Sequence, residues 1–361
     1  MRDATDSSLK DIARLSHPDY DFIRPRAVRA PDGIVHIVLE AVGRGLLGVH
    51  DGAQDNPLFY AAVALDQEKV LRLEPIAQAG PWAFHPSLAI ADRSLHLAFT
   101  SEVQGTRRAF YMQGLLPPAR QRPNTGESET SPFTRSVAKA LEKYSMNTPS
   151  AYSNQWDLQL AASGAALLTV WLDQRDGAWA LLASFSSDSG LSWSTPERVD
   201  SGASSSGAAA PVLARLGTDT FVLAWEDTSL RRTSARVVAR TLVIKGPGGL
   251  TMTPIEELSE EQDWRAWSGS PNISFDKLGR AVITYMQHDQ DTTTLHSAQW
   301  DTSREHFVRE PILLAPEQSA HGKFFPLLLA TAQDNAVQHI VLYENVGPRT
   351  SGSSITRLVT P

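Results

Sequence analysis

Residues 167–199 read LLTVWLDQRDGAWALLASFSSDSGLSWSTPERV, and this stretch decides the architecture. An apolar run, Leu167 to Leu172, gives way to the charged loop Asp173 to Gly177, then to a second apolar run, Trp179 to Phe185. A short polar turn, Ser186 to Trp193, leads into the start of a third strand. β-Branched and aromatic residues in short runs, broken by Asp, Gly and Ser, are the signature of an antiparallel meander. In the turn, Asp188 and the flanking serines can bond to their own backbone, Gly190 supplies a positive φ, and Trp193 can fold back over the hairpin.

Weaker copies of this unit recur along the chain. A short apolar strand, usually opened by proline, turns into a longer apolar strand with a polar or charged end. The copies are RPRAVRAPDGIVHIVLEA from Arg24, HPSLAIADRSLHLAFTS from His85, WDLQLAASGAALLTVWLD from Trp156, APVLARLGTDTFVLAWED from Ala210, SPNISFDKLGRAVITYMQ from Ser270 and FPLLLATAQDNAVQHIVLYE from Phe325. Six repeats of this spacing predict an all-β, six-bladed β-propeller of four-stranded antiparallel blades over residues 20–361. Residues 1–19 are expected to form an N-terminal extension or a strand that closes the ring. An insertion at about 116–154 holds the Pro/Ser/Thr-rich PPARQRPNTGESETSP and then SVAKALEKY, which has helical spacing. It reads as a lid or an arm through which a protein partner could dock, or as a loop with no special role.

Composition narrows the function. With 33 Lys and Arg against 40 Asp and Glu the chain is mildly acidic, which argues against a nucleic-acid partner. There is no cysteine for a disulfide, a thiolate metal site or a nucleophile. No apolar run is long enough to span a membrane, and the first residues lack the apolar core of a leader, so a cytoplasmic location is the default, with export by another route left open. No phosphate-binding glycine loop or H-E-x-x-H pattern is present, and neither a metal nor a cofactor is predicted. His36, His96 and His339, recurring near the start of three second strands, read as repeat-pattern residues.

The turn Ser186-Ser187-Asp188-Ser189-Gly190-Leu191-Ser192-Trp193 resembles the Asp box, S-x-D-x-G-x-T-W, of sialidases and other propellers with bacterial neuraminidase repeats, with Ser192 in the usual threonine place. The resemblance implies a structural role for Asp188 and Trp193, on the face away from the active site. It further implies a ligand site at the opposite mouth, where the loops entering the inner strands meet those joining second to third strands. Aromatic residues stand ahead of five inner strands: Tyr20 and Phe22, Trp82 and Phe84, Trp156, Trp264 and Trp267, Phe324 and Phe325. Such faces can stack on sugar rings or serve as wedges between blades. The other loop set is charged, with Asp51, Asp55, Arg107, Asp173, Arg175, Glu226, Arg231, His288 and Arg349 among its members.

Carried over residue by residue, the resemblance makes Arg24, in Ile23-Arg24-Pro25, a grip for a substrate carboxylate, although the family has one more residue between Arg and Pro. It makes Asp55 or Asp51 the general acid, and Tyr343 with Glu226 the nucleophile pair. Tyr343 also shares a register with Leu39, Phe99, Trp171, Trp225 and Tyr285, which marks a repeated core position. Arg231, Arg265 and Arg349 are candidates for further substrate-binding arginines, and Trp82, His85, Trp156, Trp264 and Trp267 for the remaining substrate contacts. The function expected is recognition of a glycan or glycan-like small ligand at the channel mouth, with glycoside hydrolysis as its enzymatic version. Two alternatives stand beside it: a non-catalytic lectin or protein-docking propeller, and an intracellular enzyme with unrelated chemistry at the mouth.

Overall fold

In the computed structural model, which describes residues 14–43, 55–103, 105–116, 132–134, 136–141, 154–175, 179–202, 207–228, 235–259, 267–276, 278–289, 292–314, 322–333, 336–347 and 350–359, the opening stretch forms three strands of one antiparallel sheet. From residue 310 onward only the backbone path enters the description. The strands group into six antiparallel sheets, each built from consecutive strands. The first sheet is β1 (Tyr20–Arg29), β2 (Ile34–Gly43), β3 (Leu58–Ala64) and β4 (Lys69–Pro75). The second is β5 (Ala83–Ala91), β6 (Ser94–Val103), β7 (Thr106–Leu115) and β8 (Lys139–Ala140), and the third β9 (Gln155–Ser163), β10 (Ala166–Asp173), β11 (Ala180–Ser186) and β12 (Glu197–Arg198). The fourth holds β13 (Ala208–Arg215), β14 (Thr220–Asp227), β15 (Arg236–Ile244) and β16 (Leu250–Met252), with β17 (Glu256–Glu257) also on β15. The fifth is β18 (Trp267–Phe275), β19 (Ala281–Asp289), β20 (Thr292–Asp301) and β21 (His306–Leu314), and the sixth β22 (Gly322–Gln333), β23 (Ala336–Gly347) and β24 (Thr350–Val359).

The strands belong to two compact units. One comprises Leu9–Gly177 with Leu182–Glu197, the other Met1–Ser8, Ala178–Leu181 and Arg198–Pro361. Within each, successive sheets bury their faces against one another. Val38, Leu58 and Tyr60 of the first sheet share a core with Leu88, Leu95, Leu97 and Phe99 of the second, while Ala98, Ala109 and Tyr111 of the second pack on Leu158, Leu160 and Trp171 of the third. In the other unit Val222, Ala224 and Val237 meet Ala281, Ile283 and Tyr285. Strands β3, β10 and β11 are buried along their whole length, as strands covered on both faces must be.

All six first strands carry the same irregularity. Two residues oppose a single residue of the second strand: Arg24-Pro25 against Leu39, His85-Pro86 against Phe99, Asp157-Leu158 against Trp171, Ala210-Pro211 against Trp225, Ser270-Pro271 against Tyr285 and Phe325-Pro326 against Tyr343. Proline has no N–H to leave unpaired, so it suits the bulge that would waste one. Arg24, His85, Asp157, Ala210 and Ser270 all have positive φ, between 45° and 51°, and supply five of the ten described non-glycine residues of that kind. Each such conformation costs about 1–3 kcal/mol. The residue opposite is large and buried in every described case: Leu39, Phe99, Trp171, Trp225 and Tyr285 are at most 5% exposed. Burying a side chain of that size returns about 2–3 kcal/mol.

SVAKALEKY departs from its helical spacing: Lys139–Ala140 is an edge strand on β7, and Phe133 and Leu141 on either side are buried. A free edge on β7 outweighs a short stretch of helical periodicity. The described part of the insertion thus completes the second sheet; residues 117–131 and 142–153 lie outside the described residues, as do 1–13.

The turn after β11 is closed by its own side chains. Asp188 Oδ1 accepts from the Ser186 hydroxyl (2.7 Å) and the Ser192 amide (2.9 Å), its Oδ2 accepts from the Ser192 hydroxyl (2.5 Å), and the Gly190 amide donates to Ser186 Oγ (2.8 Å). The turn docks on β7: Trp193 packs edge-on against Tyr111 at 4.9 Å, and the Tyr111 hydroxyl donates to the Ser189 carbonyl. His96 Nδ1 lies 2.8 Å from the same hydroxyl, with its ring stacked on Tyr111, and His36 repeats the arrangement with Tyr60 at 2.7 Å. His36 and His96 are therefore packing residues, as their recurrence predicts.

Two outcomes follow for stability. Gly190 has φ +85°, and a Cβ there would lie 2.2 Å from the Tyr111 hydroxyl, so Gly190→Ala is expected to lower unfolding free energy by about 2–3 kcal/mol, read from urea midpoints. Burial pushes His96 down to about 4 and also lowers His36. The unfolded chain takes up a proton near 6.5 that the native His96 refuses until about pH 4, so stability is lost as pH falls through that window, by about 3 kcal/mol for His96. Urea unfolding between pH 7 and 4 should show the loss, and His96→Gln should remove most of it.

Candidate functional site

Five bulges open on a residue held at positive φ, and in the first three sheets those residues are Arg24, His85 and Asp157. Glu40, one residue past Leu39 on β2, joins the first two. Its Oε2 accepts from Arg24 Nη1 (2.8 Å) and its Oε1 from the backbone N–H of His85 (2.6 Å), with only 2% of the side chain exposed. A buried carboxylate satisfied by a guanidinium and a main-chain amide ties the first bulge to the second.

His85 reaches the third. Its Nδ1 lies 2.8 Å from Asp157 Oδ1, and no other described residue bonds to its ring nitrogens. The hydrogen bond from His85 is the main cause holding the Asp157 carboxyl below the usual carboxylate range; burial opposes it, and the charges of His85, Arg24 and Arg26 assist. Trp156, the neighbour of Asp157, sets its ring edge-on to the imidazole at 5.2 Å.

Arg107, at the start of β7, completes the group. Its guanidinium lies over two rings, 4.2 Å from the Phe84 centroid and 3.8 Å from that of Trp156. Two aromatic rings thereby hold it, while its side-chain N–H groups bond to no other described residue. Burial lowers its pKa, Glu102 and Glu40 oppose that, and Arg24 adds to it. Arg26 faces the same charges, attracted by Asp157 and Glu40 and repelled by Arg24. Three arginines thus share one neighbourhood with two carboxylates that are already engaged.

Of the residues predicted from sequence, Arg24, His85 and Trp156 come together here. Trp82 is half-buried next door, its carbonyl accepting from the Glu102 amide and the Ser101 hydroxyl. Asp55 is exposed, and no described residue bonds to its carboxyl. Tyr20 and Phe22 pack on Phe59 of their own sheet and on His17. Asp173 and Arg175 form a buried pair, with Nε to Oδ1 at 2.8 Å and Nη2 to Oδ2 at 2.7 Å; burial would raise the Asp173 pKa, but Arg175 holds it down.

In the other unit Glu226 stands one residue past Trp225, as Glu40 does past Leu39, and its Oε1 likewise accepts the backbone N–H of the next bulge, Ser270, at 2.6 Å. Burial raises its pKa, the Ser270 contact working against that. A Cβ on Gly269 would meet both Glu226 and Trp267, and Trp267 stacks on His288 at 5.7 Å. Tyr343 takes its place in β23 opposite Phe325-Pro326, its side chain lying outside the described residues, and Asp51, Arg231, Trp264, Arg265 and Arg349 lie outside them altogether.

Sequence reading missed Glu40, Arg26 and Asp157. A signal was present for two of them: Glu40 and Glu226 occupy one register position, and Asp157 stands where the other five repeats have a residue before proline. Among the described residues no group of His, Asp and Glu is arranged to hold a metal, and no helix is long and apolar enough to cross a membrane.

No family model and no curated protein matches the sequence. Solved structures do resemble it. An α-L-arabinanase of Penicillium chrysogenum, complexed with arabinobiose, aligns over 94% of this chain and 93% of its own at 13% identity and a TM-score of 0.53. An α-L-arabinofuranosidase of Fusarium graminearum, in complex with an iminosugar inhibitor, aligns over 94% and 93% at 12% identity and 0.55. The NanB sialidase of Streptococcus pneumoniae aligns over 95% of this chain and 69% of its own at 9% identity and 0.52. At these identities the likeness is one of fold, that of the sialidase-like β-propellers.

The Glu40 bridge predicts a measurable cost. Glu40→Leu leaves the His85 amide and Arg24 without their acceptor and should lower unfolding free energy by about 2–4 kcal/mol, with Glu40→Gln losing about half as much; urea midpoints at neutral pH decide it.

Proposed function

We infer that this chain is a six-bladed, sialidase-like propeller that binds a glycan or glycan-like ligand at the bulge residues Arg24, His85 and Asp157, with Arg107 and Trp156. The observation that carries the reading is the guanidinium of Arg107, set over the rings of Phe84 and Trp156 with its side-chain donors bonded to no described residue. An arginine fixed in this way offers in-plane donors to a carboxylate or to sugar oxygens, while neighbouring indole supplies an apolar face for a ring. The fold neighbours, which are glycoside hydrolases, favour a glycan over other flat or acidic ligands.

In the hydrolytic version of this reading Asp55 donates the proton and Tyr343 with Glu226 forms the nucleophile pair, as the sialidase resemblance implies. Burial raises the pKa of Glu226, the direction that suits a proton donor, so Glu226 is a second acid candidate. Asp51, Trp82, Arg231, Trp264, Arg265, Trp267 and Arg349 are proposed as outer contacts. A non-catalytic lectin has its own supporting observation: the carboxylates of Glu40 and Asp157 are already committed to Arg24 and His85.

The experiment is a binding and turnover screen of the purified protein with arabinobiose, 3′-sialyllactose and fluorogenic arabinofuranosides and sialosides. Arg107→Ala is expected to weaken binding about tenfold or more while leaving the unfolding midpoint within about 0.5 kcal/mol of the parent. Turnover abolished by Asp55→Ala, Glu226→Gln or Tyr343→Phe would establish the hydrolase; binding without turnover would establish the lectin; neither would remove the glycan reading.

A further inference from the structure

A sugar offers hydroxyl protons as well as oxygens, and the site just described has many donors and few buried acceptors. Arg24, Arg26 and Arg107 only donate. Glu40 spends one oxygen on Arg24 and the other on the His85 amide. Asp157 spends Oδ1 on the imidazole. Among the described residues two acceptors remain: Asp157 Oδ2, on a side chain 41% exposed, and the second nitrogen of His85, on one 10% exposed. With Nδ1–H directed at Asp157, the neutral ring carries its lone pair on Nε2, and no described residue bonds to it.

We propose that His85, oriented by Asp157, is the nearly buried hydrogen-bond acceptor of this site and selects ligands that place a sugar hydroxyl against Nε2 beside an oxygen-rich group on Arg107. The proposal rests on the glycan reading above. The geometry is well enforced. The side chain of His85 is 10% exposed, its ring is set edge-on to Trp156, its backbone amide is fixed by Glu40, and both His85 and Asp157 are held at positive φ. Asp157 acts through His85 and is a positioning residue: it fixes which nitrogen carries the proton, as a carboxylate behind an imidazole does elsewhere. Selection follows because a ligand lacking that hydroxyl leaves a nearly buried acceptor unpaired, whereas one lacking an acidic group merely forgoes a contact.

The test has a ligand-free arm and a binding arm. In the first, long-range proton–nitrogen spectra of the intact protein at neutral pH report the tautomer of each histidine, with His85 assigned by its loss in His85→Gln. The expected result is a proton on Nδ1 and none on Nε2, with the preference weakened in Asp157→Asn. A proton resident on Nε2 overturns the proposal whatever the ligand. In the second, titration calorimetry compares arabinobiose and 3′-sialyllactose on the parent, His85→Ala, His85→Gln and Arg107→Ala. Expected are a loss of about tenfold or more in His85→Ala and near-parental affinity, within about threefold, in His85→Gln, whose amide oxygen can accept in place of Nε2. Binding lost in Arg107→Ala but unchanged in His85→Ala overturns this inference and leaves the glycan reading standing. No binding of either glycan to the parent overturns both.

Discussion

A bulky residue buried midway along the second strand of five sheets governs this molecule. Leu39, Phe99, Trp171, Trp225 and Tyr285 each sit where a regular first strand would pass, and the first strand answers with one residue more than its partner. The extra residue forces a positive φ on a side-chain-bearing position, and a proline at the next place absorbs the lost ladder hydrogen bond. Core packing and local strain are therefore two sides of one arrangement, in which the burial of one large side chain offsets the bend opposite it.

Much of this could be read from the chain alone. The six repeats, the strands around residues 167–199 and the self-closed turn at Asp188 all rest on short-range patterns, alternation, proline punctuation and turn chemistry, which act within a few residues. The shared register of Leu39, Phe99, Trp171, Trp225 and Tyr285 was visible too, because it is a property of the repeat. The bulge opposite them was not, since it lies in the pairing of two strands rather than in either one. For the same reason Arg24, His85 and Trp156 could be singled out while their connections could not: Glu40 and Asp157 look like ordinary strand-end acids until two sheets are placed face to face. Helical spacing in SVAKALEKY misled because a few residues of periodicity cannot compete with the open edge of β7.

Glu40 and Glu226 show how one repeat position yields two chemistries. Both accept the amide of the next bulge at 2.6 Å. Glu40 also faces the guanidinium of Arg24, whereas Glu226 has the amide contact and burial, which raises its pKa. The backbone contact holds each carboxyl in place, and the residue at the preceding bulge, Arg24 in one sheet and Ala210 in the other, decides whether a positive charge accompanies it.

The recurring bulge has a consequence for how such a scaffold can change. Its second place is filled by proline or leucine and its opposite number by a core residue, but its first place holds Arg24, His85, Asp157, Ala210, Ser270 or Phe325 with no common chemistry. Since the backbone bend there is imposed from across the sheet, a new side chain at that place inherits its aim without having to create it. Recognition can then drift from one ligand to another by exchanging these residues singly, while the layers beneath stay as they are.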